Sequence, residues 1–217
     1  MSDKIEAPKT AICPEAETKA RILDSALTIF GEKGYHQATM AEIAEAARVG
    51  KGTLYWHFAS KEDLFAGMVE QLTQGINLKL KSVLETPDQP FPELLLAFTK
   101  ECLAYSYHHR EVARFFMSTS QGFSEELRKK LRKWRIEFLA LNTELIRLGI
   151  ETGYFRPDLE LAKVVTAFTG MLFAFGERQL LEENWNEIEA EALFIKDLLI
   201  QGIANKSRED QIDEEKT

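Results

Sequence analysis

Residues Thr39 to Leu64 read TMAEIAEAARVGKGTLYWHFASKEDL. Thr39 with Glu42 three positions on is a capping box, and Ile43, Ala44 and Ala47 supply one apolar face for a short helix behind it. Val49-Gly50 interrupts that pattern, and a second short helix is expected from Lys51 to about His57. Ser60 with Asp63 then starts a long helix running to about Leu84. Two short helices joined by a tight glycine-containing turn, with a long helix directly after, describe a helix-turn-helix unit. A helix as short as Lys51 to His57 does not hold itself in water, so packing must fix it. Val49, Leu54 and Phe58 are placed to turn inward against Ile43 and Phe30. That leaves Lys51, Thr53, Tyr55, Trp56 and His57 on the outer side, on a probe suited to a DNA major groove about 12 Å wide.

Outward from this stretch the helical spacing continues. A helix is expected from about Thr18 to Lys33, with Ile22, Ala26 and Phe30 on one stripe, Leu23 and Leu27 beside it, and Gly34 as its stop. Beyond Pro87, Pro90 and Pro92, helical patterns cover about Phe91 to His109, Glu111 to Ser120, Ser124 to Glu151, Leu159 to Glu182 and Glu187 to Ile203. The breaks carry Gly122 with Ser124, Gly153 with Pro157-Asp158, and the polar stretch Glu183 to Asn186. No segment alternates strictly, so the fold class is all-α. Residues 1–17 and 204–217 are expected to be disordered tails, 18–64 the helix-turn-helix domain and 65–203 a second domain.

Of the 217 residues, 45% are hydrophobic and 29% charged, which suits a soluble globular protein with a buried core. The formal net charge of -8 argues against a nucleic-acid binder only until it is divided along the chain. Residues 1–61 hold 8 basic and 8 acidic residues, so all of the acidic excess lies beyond them. The acidic remainder repels duplexes everywhere except at the helix-turn-helix end. Two cysteines, Cys13 and Cys102, give no disulfide framework. The run Val164 to Gly176 is broken by Thr166 and Thr169 and is shorter than the roughly 20 residues a membrane span needs. A cytoplasmic protein without a membrane partner is expected.

Residues Thr18 to Leu72 resemble the DNA-binding domain of the TetR family of bacterial repressors. The likeness rests on Ala26-Leu27-x-x-Phe30, Gly34-Tyr35, Thr39-Met40-x-x-Ile43-Ala44, Ala47-x-Val49, the run Gly52 to Phe58, and Ser60 to Leu64. It implies an N-terminal three-helix DNA-binding domain joined to a C-terminal helical domain for effector binding and dimerisation. On that basis Thr39 contacts phosphate through its hydroxyl and backbone N–H, and Lys51, Gly52 and Thr53 lead the recognition helix onto base edges. Tyr55, Trp56, His57 and Lys61 would touch phosphates or the groove wall. Gly50 stands where the family often has Ser or Thr, so this recognition helix has a weaker N-cap. One such face makes few phosphate contacts, so a homodimer on double-stranded operator DNA is implied, its half-sites about 34 Å apart or somewhat further.

In the second domain Leu161, Val165, Phe168, Leu172, Phe175 and Gln179 form one seam, and Val164, Ala167, Met171 and Ala174 cover another face. A helix apolar on two sides is buried on both. Leu161, Val165, Phe168 and Leu172, with Leu198 of the last helix, are assigned to the dimer interface that the resemblance implies; a single packed core is the alternative. Met68, Phe98, Cys102, Tyr105, Phe115, Phe116, Trp134, Phe138, Met171 and Phe175 either line a cavity or fill a core, and the resemblance favours a cavity for a hydrophobic small molecule, aromatic or long-chain. Candidate polar anchors are Tyr105, His109, Asn142, Glu177 and Arg178. The basic run Arg128, Lys129, Lys130, Arg132, Lys133 and Arg135 is taken as a solvated face. There is no phosphate loop, HExxH or nucleophile elbow, and no catalysis, metal or cofactor is expected. The expectation is a homodimeric, ligand-released repressor of a palindromic operator. Its competitor is a helical small-molecule binding or sequestration protein whose helix-turn-helix no longer reads DNA.

Overall fold

The computed structural model describes residues 14–110, 124–182 and 187–203, and among these it holds eight helices and no strand. The chain divides into two compact units, Met1–Met68 and Val69–Thr217.

In the first unit, α1 spans Pro14–Gln37 but changes direction at Gly34, whose φ of 76° lies where glycine alone is at ease. The regular helix therefore stops where the sequence places its stop, and a residual turn leads on. Its start is earlier than expected: residues 14–17, assigned to the tail, are helical, with Pro14 at the position where a missing N–H costs nothing. Helix α2, Met40–Ala46, carries the complete capping box of Thr39 and Glu42. The turn after it places Arg48 at φ 53° and ties the Val49 amide to the Ala44 carbonyl at 2.9 Å. Helix α3, Lys51–His57, begins at Gly50 without any side-chain cap. What holds it is burial of Leu54 and of Phe58 just beyond its end, against a core that includes Ile22, Ala26, Phe30, Ile43 and Phe65. Full burial of a leucine or phenylalanine contributes about 1.5–3 kcal/mol, enough to fix a seven-residue helix that cannot fix itself.

Helix α4, Lys61–Leu84, begins in the first unit and continues into the second. The Asp63 amide bonds the Ser60 hydroxyl at 3.0 Å, and the Asp63 carboxylate accepts from the Ala59 amide at 3.3 Å. The second unit adds α5 (Phe91–His108), α6 (Glu125–Glu151, capped by Ser124), α7 (Leu161–Glu182) and α8 (Ile188–Ile203). The expected helix from Glu111 to Ser120 lies outside the described residues. Helix α5 packs on α7 and α8, and α6 on α7. Gly149 lets α6 close on the rings of Phe91 and Phe155, whose centroids are 4.9 Å apart edge to face. A Cβ at Gly149 would come within 2.5 Å of Phe155 and 2.6 Å of Phe91.

The dimer assignment needs correcting on α7. Val165, Phe168 and Leu172 are buried in the chain's own core and Leu161 packs against it, so this seam is the inner face. Leu198 on α8 is 48% exposed. On these two helices the other large apolar side chains left exposed are Phe173 and Leu181 on α7 and Leu193 and Phe194 on α8, and Phe194 sits beside Phe175 with ring centroids 5.9 Å apart. Among the described residues, no helix is long and apolar enough to cross a membrane.

Candidate DNA interface and effector cavity

Helix α3 turns Leu54 inward and leaves Lys51, Gly52, Thr53, Tyr55 and Trp56 exposed, with His57 half-buried. Tyr55 is 52% and Trp56 67% exposed, so neither aromatic has a core role in this chain. Trp56 stands edge to face on His57, centroids 4.7 Å apart. No heavy atom lies within 4 Å of where a Cβ at Gly52 would project, so the N-terminal turn of α3 is open to close approach. Together these six are every residue of α3 except Leu54.

Two of the expected phosphate contacts are differently employed. Lys61 spends its three ammonium donors on main-chain carbonyls at the end of α1, bonding Tyr35 at 2.7 Å, His36 at 3.2 Å and Ala38 at 3.0 Å. Its Nζ also lies 4.6 Å from the centroid of the Tyr35 ring. A cation is favoured there because the last carbonyls of a helix lack amide partners and carry the negative end of its dipole. The expectation that Lys61 faces a phosphate is therefore replaced by a role in clamping the α1–α2 corner. Thr39 is exposed, yet its hydroxyl and its backbone N–H both donate to the Glu42 carboxylate, at 2.7 and 2.9 Å. Lys33 bonds the same carboxylate at 2.6 Å, and this ammonium, then Thr39, hold the Glu42 pKa down at about 2. For Thr39 to meet a phosphate, Glu42 has to let go of it first.

The second unit holds a half-open cavity of about 400 Å³ between α4, α5, α6 and α7. Cys102, Tyr105, Trp134 and Phe138 line it, as expected, and so do the proposed anchors His109 and Glu177. The α4 wall is Val69, Leu72, Thr73 and Ile76, and the α7 wall includes Leu172, Phe173 and Leu180. Arg135, the last residue of the basic run, also lines it, so that run is not wholly a solvated face. Burial pushes the Tyr105 phenol up to about 12 and raises the Cys102 thiol well above its ordinary value, so both are neutral at physiological pH.

Other expected lining residues are elsewhere. Met68 is buried in the first unit. Phe98 is fully buried in the core, its ring 6.3 Å from Phe168, and Met171 and Phe175 pack against that core without reaching the cavity. Phe115 and Phe116 lie outside the described residues. Asn142 is buried with its amide donating to the Thr169 hydroxyl at 3.0 Å, and Arg178 bonds the buried Glu191 of α8, so neither serves as a cavity anchor. The missed α4 wall was legible as a stripe at helical spacing, positions 69, 72, 73 and 76, once aromatic character is not required of a lining residue. Among the described residues no group of three or more His, Cys, Asp or Glu side chains is placed to hold a metal ion.

The chain is similar along most of its length to known regulators. It is 27% identical over 150 residues to the HTH-type transcriptional repressor KstR2 of Mycobacterium tuberculosis, covering 66% of this chain and 72% of that protein. It is 24% identical over 192 residues to the fatty acid metabolism regulator protein of Bacillus subtilis, covering 86% and 95%. Among solved structures, the fatty acid degradation regulator FadR from Bacillus halodurans superposes with a TM-score of 0.77 at 25% identity, covering 89% of this chain and 98% of that one. Residues 22–68 match the family described as bacterial regulatory proteins, tetR family, and residues 88–177 match the tetracyclin repressor-like C-terminal domain. With the exposed recognition helix in one unit, the cavity in the other and family matches to both in order, the chain belongs to the TetR family of bacterial transcriptional regulators.

Proposed function

We propose that the protein is a dimeric repressor that holds a two-fold related operator through two copies of α3 and releases it when a hydrophobic effector fills the cavity. The observation that carries this is the cavity's fourth wall: it is α4, the helix that begins at Lys61, soon after α3 ends at His57. An occupant that favours one position of α4 over another shifts the equilibrium between binding and released states. The duplex is met by Lys51, Gly52 and Thr53 at base edges and by Tyr55, Trp56 and His57 at the groove wall.

One short helix neutralises few phosphates, so a single subunit binds weakly. The second copy docks through the apolar side chains left outside on α7 and α8, Leu181, Leu193, Phe194 and Leu198, a patch of the kind that marks an interface. The effector is an amphiphile with a long acyl chain. About 400 Å³ of mostly apolar space takes the chain, and Arg135, His109 and Glu177 offer polar contact to a head group. The names of the fatty-acid regulators from Bacillus subtilis and Bacillus halodurans described above support the same chemistry.

The test is reciprocal. An operator is selected from random duplexes, and its affinity is measured with and without cis-parinaric acid, a fluorescent long-chain fatty acid. Release requires that the operator weaken fatty-acid binding by the factor by which the fatty acid weakens operator binding. Equal fatty-acid affinity with and without operator rules out ligand release, and failure to select any duplex favours sequestration instead.

A further inference from the structure

We propose, building on the effector reading above, that Tyr105 is a latch on α4, and that the effector acts by taking over the hydrogen bond the Tyr105 hydroxyl makes there. The phenol projects from α5 into the cavity wall and donates to the main-chain carbonyl of Leu72 within α4. The helix ladder already offers that carbonyl the amide four residues on, so a side chain joins it only by lying against the helix backbone. Gly75 makes this approach possible. A Cβ at position 75 would stand 2.9 Å from the Tyr105 hydroxyl oxygen but 3.8 Å from the nearest ring carbons. The notch therefore accommodates the hydroxyl and not the ring. Glycine inside a helix weakens it relative to alanine, and contact with this hydroxyl is what the position gains in return.

The far side of the phenol rests on His109, ring centroids 4.3 Å apart at 52°. Leu72, Thr73 and Ile76 line the cavity as Tyr105 does, so the bond bridges α4 and α5 on the cavity's own wall. An occupant lying along that wall meets the phenol and turns it off the helix. A hydroxyl freed in apolar surroundings must find another acceptor. Burial keeps it protonated and therefore a donor. The effector class that opens the latch at least cost is one whose chain ends in an acceptor, a carboxylate or an acyl carbonyl, that receives the Tyr105 proton in place of Leu72.

The experiment uses the full chain with Tyr105→Phe, Gly75→Ala and both together, and reads amide hydrogen exchange along α4 between Leu72 and Ile76. Without ligand, Tyr105→Phe raises exchange there by about fivefold, the equilibrium worth of one ordinary hydrogen bond. Gly75→Ala raises it likewise, because the new methyl evicts the hydroxyl. When Tyr105→Phe is already in place the same Gly75→Ala slows exchange, because only an ordinary ring contact remains and alanine stiffens the helix. That reversal of sign marks the latch, since a general packing role gives Gly75→Ala the same sign in both backgrounds. Saturation with cis-parinaric acid brings the wild-type rate up to that of the Tyr105→Phe variant, which itself does not respond. An unchanged rate in Tyr105→Phe, or one sign for Gly75→Ala in both backgrounds, overturns the latch. If wild type does not bind the fatty acid, the effector reading fails while the ligand-free exchange pattern still decides the latch.

Discussion

Exchanging Lys61 for methionine keeps the aliphatic length of the side chain and removes its charge. In the wild type the ammonium makes three bonds to the carbonyls of Tyr35, His36 and Ala38 at 2.7 to 3.2 Å and sits against the Tyr35 ring. Hydrogen bonds from a charged donor contribute about 1.5–3 kcal/mol each, but three from one ammonium do not add, and partial exposure screens them, so the total is set at about 3 kcal/mol. At roughly 2–4 °C per kcal/mol for a chain of this size, Lys61→Met lowers the melting temperature by about 6–12 °C. Circular dichroism on heating measures that loss. Operator binding is then followed against salt at a temperature where the variant is folded. A clamp leaves the slope of log K on log salt unchanged, whereas a phosphate contact takes about 0.9 from it per subunit. An unaltered melting temperature with a shallower slope refutes the clamp and restores Lys61 to the DNA face.

Three further outcomes are expected. The Glu42 carboxyl is held at about 2, below its ordinary 4.5, so its stabilising contribution is complete above 4.5 and is lost as pH falls toward 2. Glu42→Gln therefore flattens the acid side of the stability curve in that window, and a urea-midpoint profile of unchanged shape speaks against the Lys33–Glu42–Thr39 cluster. Gly149→Ala drives a methyl into two buried rings; overpacking of about 3 kcal/mol less about 1 kcal/mol of helix propensity leaves a net loss near 2 kcal/mol, and an unshifted urea midpoint means the rings yield. Phe194→Glu, on the outer face of α8, converts dimer to monomer in sedimentation with the far-ultraviolet spectrum unaltered, and a variant that stays dimeric moves the interface elsewhere.

The helices were legible because caps and apolar spacing agree. Thr39 with Glu42, Ser60 with Asp63, Gly34 and Ser124 each mark an end that the structure places within a residue or so. Which side of an apolar helix faces home was not legible. Helix α7 carries apolar side chains on both sides, and spacing alone does not say that Val165, Phe168 and Leu172 turn into the core while Leu181 stays out. Lys61 was misplaced for a related reason: the carbonyls that hold it belong to residues 23 to 26 positions earlier, and only the fold brings them under the ammonium. The cavity was half-legible. Aromatic and sulfur-bearing residues on α5 and α6 led to it, but the α4 wall is made of aliphatic and hydroxyl side chains whose signal is their period and not their type.

The recognition helix is fastened from behind by Leu54 and Phe58 and has no cap at Gly50. None of its outward residues, Lys51, Gly52, Thr53, Tyr55 or Trp56, therefore carries part of the burden of folding. If α3 reads the operator as proposed, substitutions at these positions alter duplex preference and leave stability unchanged. Under the proposed function, a few surface codons then suffice to redirect the regulator to other duplexes, with the second unit inherited unchanged.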